Sequence, residues 1–267
     1  MTAGGLAQPV PAVDPGDVAA RVREVRRRIA AAGGDERRIR IVAVTKGFGP
    51  DAVRAAVAAG VCDVGENYAD ELVAKHAAAE APAAAPPAAP APTATATAVD
   101  APATATNAAA APPPEGGSRW HFLGRVQRNK VRRLAPVVHL WQGVDRAAAG
   151  REIASRAPGA RVLVQLNLSG LERRNGCAPA DAPGLVDELR AMELDVVGLM
   201  AVGPGGPPEN ARSAYRDLAA MADRLELPER SMGMTDDLEV AVEEGTTMVR
   251  VGRALFGARP VPTDLRR

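Results

Sequence analysis

Several residues in this chain have the types and spacing to do chemistry together. The run Ile39-Arg40-Ile41-Val42-Ala43-Val44-Thr45 ends on Lys46. β-Branched residues over this length, bounded by Asp35-Glu36 and by Gly47-Phe48-Gly49-Pro50, predict a buried strand that delivers Lys46 to a loop at its C-terminal end. An amine presented there can condense with a carbonyl compound. Near the other end of the chain, Ser231-Met232-Gly233-Met234-Thr235 supplies hydroxyls and a glycine whose backbone can approach a ligand closely. Gly252-Arg253-Ala254-Leu255-Phe256-Gly257 puts a glycine at the opening of a short helix, and Arg250 stands two residues before it on the same strand face. These are the makings of an anion cradle. Taken singly, each has an ordinary explanation: a strand-end lysine returns the chain to water, a glycine loop is a tight turn, and an arginine is a charge paired inside the fold.

The elements that must position these groups alternate along the chain. Asp14-Pro15-Gly16-Asp17 opens a helix with Val18, Val22, Val25 and Ile29 on one face, and Gly33-Gly34 stops it. Its other face carries Arg21, Arg23, Arg26, Arg27 and Arg28, read as a solvated face because no aromatics are interleaved. A helix opening at Pro50-Asp51 and closing at Gly60 follows the Lys46 strand. A second strand over 61–65 then runs into Glu66-Asn67-Tyr68, and a helix begins near Ala69. From Ala77 to Pro114 the composition changes: of 38 residues, 20 are Ala and 9 are Pro. Prolines at that density forbid a continuous helix or a laddered strand, and alanine buries too little surface to offset the ordering entropy, so 77–118 is expected to be a disordered Ala/Pro/Thr-rich insertion. Strands are then predicted over 119–124, 137–141, 161–167, 194–200, more weakly near 229–233, and over 247–252, with helices between them.

Eight strands alternating with helices predict an α/β fold, a closed (β/α)8 TIM barrel with one extra N-terminal helix. The domain would comprise 14–76 and 119–258, flanked by flexible termini at 1–13 and 259–267. An open doubly wound sheet is the competing architecture, but no Gly-x-Gly-x-x-Gly follows the first strand. In a barrel the strand ends gather at one mouth, so Lys46, Asn67, Asn167, Met200, Ser231 and Gly252 converge, with Asn67 and Met200 among the cofactor-binding residues. The phosphate of a ligand is expected between Gly233 and Gly252, across the mouth from Lys46, with Asp236 and Asp237 capping outward. A lysine and a phosphate cradle at one mouth suggest pyridoxal phosphate, whose aldehyde condenses with an amine while its phosphate needs fixed donors. Arg250 could then reach the pyridine nitrogen, where a guanidinium disfavours ring protonation and weakens the electron sink.

The chain resembles the pyridoxal-phosphate homeostasis proteins, the proline synthetase co-transcribed or alanine-racemase N-terminal-domain-like family. The resemblance rests on Ala43-Val44-Thr45-Lys46, Gly65-Glu66-Asn67-Tyr68, Trp120-His121-Phe122-Leu123-Gly124 with Gln127 and Asn129-Lys130, and Gly198-Leu199-Met200. It continues in Ser231 to Asp237 and Val249 to Gly257. It implies that Lys46 is the Schiff-base lysine, that Arg250 meets the pyridine nitrogen, and that Ser231, Gly233, Thr235 and Gly252 surround the phosphate. It further implies a protein that binds and buffers pyridoxal 5'-phosphate in vitamin B6 homeostasis without turnover, with PLP-dependent apoenzymes as candidate recipients. Arg125, Leu171, Arg174 and the Gly47-Phe48-Gly49 turn depart from the usual family pattern, and so does the long insertion.

Composition bounds the alternatives. Thirty-three basic and 32 acidic residues give a net charge of +1, which points to neither nucleic acid nor membrane as partner. Cys62 and Cys177 match no metal-ligand spacing and are read as buried small hydrophobes in a reducing cytoplasm; His76, His121 and His139 form no i, i+4 pair, so no metal site is expected. No secretory signal and no apolar run of membrane-spanning length is evident, and a monomer is expected. Two other readings stay open: a PLP-dependent racemase or decarboxylase with Tyr68 or His121 as second acid/base, and an adaptor using the arginines of 21–28 and 125–133. Racemases of similar fold add a second domain that covers the site, and nothing in this sequence resembles it.

Overall fold

The computed structural model describes residues 13–80, 117–171 and 173–259. Most of the expected Ala/Pro insertion and of both termini lie outside the described residues. Eight parallel strands close into a barrel in sequential order: β1 (Arg40–Val44), β2 (Asp63–Glu66), β3 (Arg119–Phe122), β4 (Val138–Val144), β5 (Arg161–Leu166), β6 (Asp195–Ala201), β7 (Glu229–Ser231) and β8 (Met248–Val251). The helices are α1 (Pro15–Ala31), α2 (Pro50–Ala58), α3 (Ala69–Glu80), α4 (Arg128–Leu134), α5 (Ala147–Arg156), α6 (Ala182–Ala191), α7 (Arg212–Arg224), α8 (Leu238–Glu243) and the short α9 (Arg253–Phe256). This is the (β/α)8 architecture expected, with α1 as the extra helix. The alanines at 77–79 continue α3 past the anticipated boundary at 76, as a strong helix former does when no proline intervenes.

Alternation along each strand separates two cores. Outward residues of the strands meet the helices in two large apolar clusters. Val18, Val22, Val25 and Ile29 of α1 are 0–3% exposed and join the cluster that holds α2, α8 and α9, each worth roughly 1.5–3 kcal/mol of burial. Inward residues fill the barrel in layers. At the N-terminal end Arg40, Arg119, Arg161 and Glu229 come from alternate strands and are tied off by Arg40–Glu229, Arg119–Asp63 and Arg161–Asp195 ion pairs. Above them Val42, Leu140, Leu163, Val197, Met200 and Met248 form an apolar plug.

The arginine face of α1 is not simply solvated. Arg28 forks onto Glu239 at 2.6 and 2.8 Å and donates to Thr235 O, while Arg21 donates to Leu255 O and Arg26 to Glu36 O. α1 therefore ties down the two segments that carry the glycine loops. Both cysteines are free and half-buried rather than fully buried; Cys177 lies on a segment bridged to Leu166.

Candidate functional site

Lys46 leaves β1 half-buried and lines a cavity of about 610 Å³ at the C-terminal mouth of the barrel. Its turn is braced from below. Lys75 of α3 donates to Thr45 O at 2.8 Å, Glu66 Oε1 at 2.5 Å and Glu71 Oε2 at 2.8 Å. Glu66 in turn accepts from the Thr45 hydroxyl at 2.8 Å, and Glu71 accepts from the Gly47 N–H at 3.0 Å. Gly47 turns with φ +77°, a conformation glycine adopts without strain. Burial, reinforced by the Arg259 and Arg250 charges, lowers the Lys46 pKa from the ordinary lysine value against the opposing pull of Glu66. That favours the neutral amine, the form that attacks a carbonyl.

Arg250 lies beneath the same cavity on the neighbouring strand. β8 pairs with β1 in the closed barrel, with Val42 opposite Arg250 and Ala43 opposite Val251. The Gly252 loop consequently sits beside Lys46 rather than across the mouth, a correction that follows from closure: the first and last strands of a barrel are neighbours. Arg250 is buried, and donates to Ser231 Oγ and to Ala201 O at 2.7 Å each. Among the described residues, only those two of its five N–H groups are spent on protein acceptors.

The chemistry of the donor set beside it fits an anion. Thr235 and Gly252 both line the cavity, and the backbone N–H groups of Thr235, Asp236, Gly252 and Arg253 find no acceptor among the described residues. The Thr235 hydroxyl accepts from the Ala254 N–H at 3.2 Å and so links the two loops. A Cβ on Gly252 would stand 3.0 Å from Val44 O, which accounts for the glycine.

Of the residues anticipated from sequence, the cavity gathers Lys46, Asn67, Met200, Thr235, Arg250 and Gly252. Ser231 and Gly233 are not on its wall. Ser231 points into the barrel interior, where its hydroxyl donates to Gln142 Oε1 at 2.7 Å, because it shares the inward register of Met200 and Met248. Gly233, at φ +90°, has a steric reason of its own to be glycine, because a Cβ there would meet Ala241 Cβ at 2.5 Å. Asp237 does not cap outward either: it is buried and accepts from the Tyr215 hydroxyl and the Met234 N–H, each at 2.6 Å. Asp236 faces the cavity and pairs with Arg253. Asn167 lies off the main cavity and organises the 168–176 loop through Leu171 O and Arg174 O. Tyr68 is 62% exposed and His121 fully buried, and neither lines the cavity. Sequence reasoning missed Gln165, Asn175 and Arg259 on the wall. Only Gln165, a polar residue that interrupts the apolar run 162–166, carried a readable signal.

The family model described as the alanine racemase N-terminal domain matches residues 13–260. The pyridoxal phosphate homeostasis protein of Pseudomonas aeruginosa is 35% identical, over 91% of this chain and 93% of its own length, and that of Deinococcus radiodurans is 35% identical over 90% and 97%. The structure of PipY from Synechococcus elongatus with PLP bound superposes with a TM-score of 0.69 at 25% identity, covering 90% of this chain and all of that one. Alanine racemase from Corynebacterium glutamicum shares the fold at 15% identity and TM-score 0.61, with this chain covering 63% of it. The chain thus belongs to the alanine racemase N-terminal domain family and, within it, to the pyridoxal phosphate homeostasis proteins.

Proposed function

We propose that this protein binds pyridoxal 5'-phosphate covalently through Lys46 and serves intracellular PLP homeostasis, holding the cofactor rather than turning over a substrate. The observation that carries the reading is the juxtaposition, in one cavity, of a lysine depressed by burial, a buried guanidinium and four backbone N–H groups, with no acceptor among the described residues for those four or for three of the guanidinium N–H groups. When bound, PLP supplies an aldehyde for the lysine and a ring whose electron demand depends on the protonation of its nitrogen. Lys46 would provide the amine, and Arg250 would meet the ring nitrogen. Thr235, Gly252 and the N–H groups around them would hold the phosphate, while Asn67 and Met200 would flank the ring. Ser231 and Gly233 would act on that site from behind its wall.

A guanidinium stays protonated and has no proton to yield to a ring nitrogen. Arg250 therefore favours keeping the ring neutral. Among the described residues no histidine, tyrosine or cysteine lines the cavity to serve as a second acid/base, which favours binding over racemisation or decarboxylation. The barrel formed by 14–76 and 119–258 is the proposed functional unit, acting as a cytoplasmic monomer with PLP-dependent apoenzymes as recipients. Among the described residues no helix is long and apolar enough to cross a membrane.

Borohydride treatment of the PLP-loaded protein, followed by peptide mapping, tests the reading. The pyridoxyl group is expected on Lys46 and absent from Lys46→Ala. Labelling of another lysine, or an unchanged cofactor spectrum in Lys46→Ala, overturns it.

A further inference from the structure

Arg250 is a buried cation whose hydrogen-bond partners, Ser231 Oγ and Ala201 O, are neutral; the Asp237 charge acts on it only through space, so its orientation is set by those hydrogen bonds. Below it a single file of polar side chains descends through the barrel interior. Arg250 donates to Ser231 Oγ at 2.7 Å, and Ser231 Oγ lies 2.7 Å from Gln142 Oε1. Gln142 Nε2 lies 2.8 Å from His121 Nδ1, and His121 Nε2 lies 2.8 Å from Asp63 Oδ1. Asp63 is locked by a two-pronged contact from Arg119, at 2.9 and 2.6 Å. Gln142, His121 and Ser231 are each 0% exposed.

The chemistry of the two ends assigns every proton between them. Asp63 is a carboxylate: burial would raise its pKa, but the hydrogen bonds from His121 and Arg119 prevail and hold it well below the ordinary range. An ionised carboxylate only accepts, so His121 must carry its proton on Nε2. Burial lowers the His121 pKa, leaving the ring neutral and Nδ1 an acceptor. Gln142 then turns its amide N–H to Nδ1 and its carbonyl to Ser231. Ser231 donates to that carbonyl, and its oxygen is left to accept from Arg250. Reversing any one link would set two donors or two acceptors face to face.

We infer that His121 and Gln142 are positioning residues: anchored on Asp63, they orient the Ser231 hydroxyl so that it accepts from Arg250 and aims the remaining guanidinium N–H groups into the mouth. The inference rests on PLP occupying that mouth. It also gives Ser231 a role different from holding phosphate, and gives His121 one different from acid/base catalysis.

Two measurements on the purified full-length chain test it. In the apo protein, long-range 1H–15N correlation of the three histidines is expected to show His121 neutral with its proton on Nε2; an Nδ1 proton or an imidazolium overturns the relay. In the second, PLP and pyridoxal are titrated by absorbance into wild type, Gln142→Leu, Arg250→Met and the double variant. Gln142 lies off the cavity wall and acts only through its neighbours. Its loss is expected to weaken both ligands alike by roughly 10- to 100-fold, the range for a hydrogen bond to a charged group, and to add nothing in the Arg250→Met background. Unchanged affinity in Gln142→Leu, a loss confined to PLP, or full additivity with Arg250→Met overturns the inference. A wild-type chain that binds neither ligand refutes the proposed function instead, and the histidine spectrum then decides the relay alone.

Discussion

Lys75→Met should be among the most damaging single substitutions near the site, and the reason can be followed atom by atom. Glu66 is 0% exposed and Lys75 5%, and their contact is 2.5 Å. Burial raises the Glu66 pKa even though the Lys75 ammonium and the Thr45 hydroxyl both work to lower it, so the carboxylate is held inside at a cost that its partner only partly offsets. Removing the ammonium strands that charge and also takes from Thr45 O one of its two donors, leaving the Phe48 N–H. The expected loss is about 3–5 kcal/mol, the range for breaking one side of a buried pair, and would lower the urea midpoint by more than about 1 M. Adding Glu66→Gln should recover most of it, because a neutral amide needs no counter-charge. The pH dependence has a definite sign. With a folded pKa above the unfolded value near 4.3, the Glu66 contribution is fully present below that value and is lost as pH rises through the folded pKa. Without Lys75 the folded pKa climbs further, so the deficit of Lys75→Met relative to wild type should be larger at pH 7.5 than at pH 4.5. A deficit below about 1 kcal/mol, no recovery by Glu66→Gln, or a pH-independent deficit would refute the reasoning.

Two more outcomes follow from particular residues. Burial first, with the Arg161 charge acting the same way, pushes His139 down to about 4; a depressed histidine contributes stability above its unfolded pKa near 6.5 that is lost as pH falls through the folded value. Since the ring is only half-buried, the amount is discounted to about 1–2 kcal/mol, and His139→Gln should flatten the acid limb of a stability profile between pH 6.5 and 4; an identical limb in the variant counts against the assignment. Gly233→Ala imposes a side chain on φ +90° and brings its Cβ to 2.5 Å from Ala241. Strain and overpacking together should cost about 2–4 kcal/mol by urea unfolding, and PLP binding should weaken because Gly233 O accepts from the Arg250 backbone N–H at 3.0 Å and so helps to place that residue. Wild-type stability in that variant would show that the turn relaxes freely.

The strands were legible because a barrel strand is buried on both faces and reads as a short apolar run bounded by turn residues, as in 39–46 and 194–200. Their C-terminal ends were therefore locatable, and Lys46, Arg250 and Gly252 with them. What sequence could not show is which neighbour a given inward side chain meets. Ser231 reads as a loop hydroxyl from its surroundings, yet its register with Met200 and Met248 turns it into the interior. Asp237 looks like a helix cap from its position before 238–243, yet it is spent on Tyr215, 22 residues away in sequence. Arg21 and Arg28 of α1 look solvated because their acceptors on α9 and α8 lie more than 200 residues downstream. In each case the determining contact is long-range and polar, and neither periodicity nor local motif encodes it.

Those long-range contacts divide the support of the mouth into parts with different origins. Lys46 is steadied through Thr45 and Gly47 by Lys75 and Glu71 of α3 and by Glu66 at the end of β2. Arg250 is steadied from below, through the barrel interior. The loops of Thr235 and Gly252 are steadied from outside by Arg28 and Arg21 of α1. Because β8 lies beside β1, the amine, the guanidinium and the cradle are close enough to act on one small molecule even though their supports share no side chain. Interactions that share no partner tend to add rather than couple. Damage to the α1 clamp should then loosen the hold on a phosphate while leaving the lowered pKa of Lys46 in place, since that pKa is set by burial and by Arg259 and Arg250. On the proposed reading of the site, the hold on the phosphate and the reactivity of the lysine are then set by separate parts of the fold.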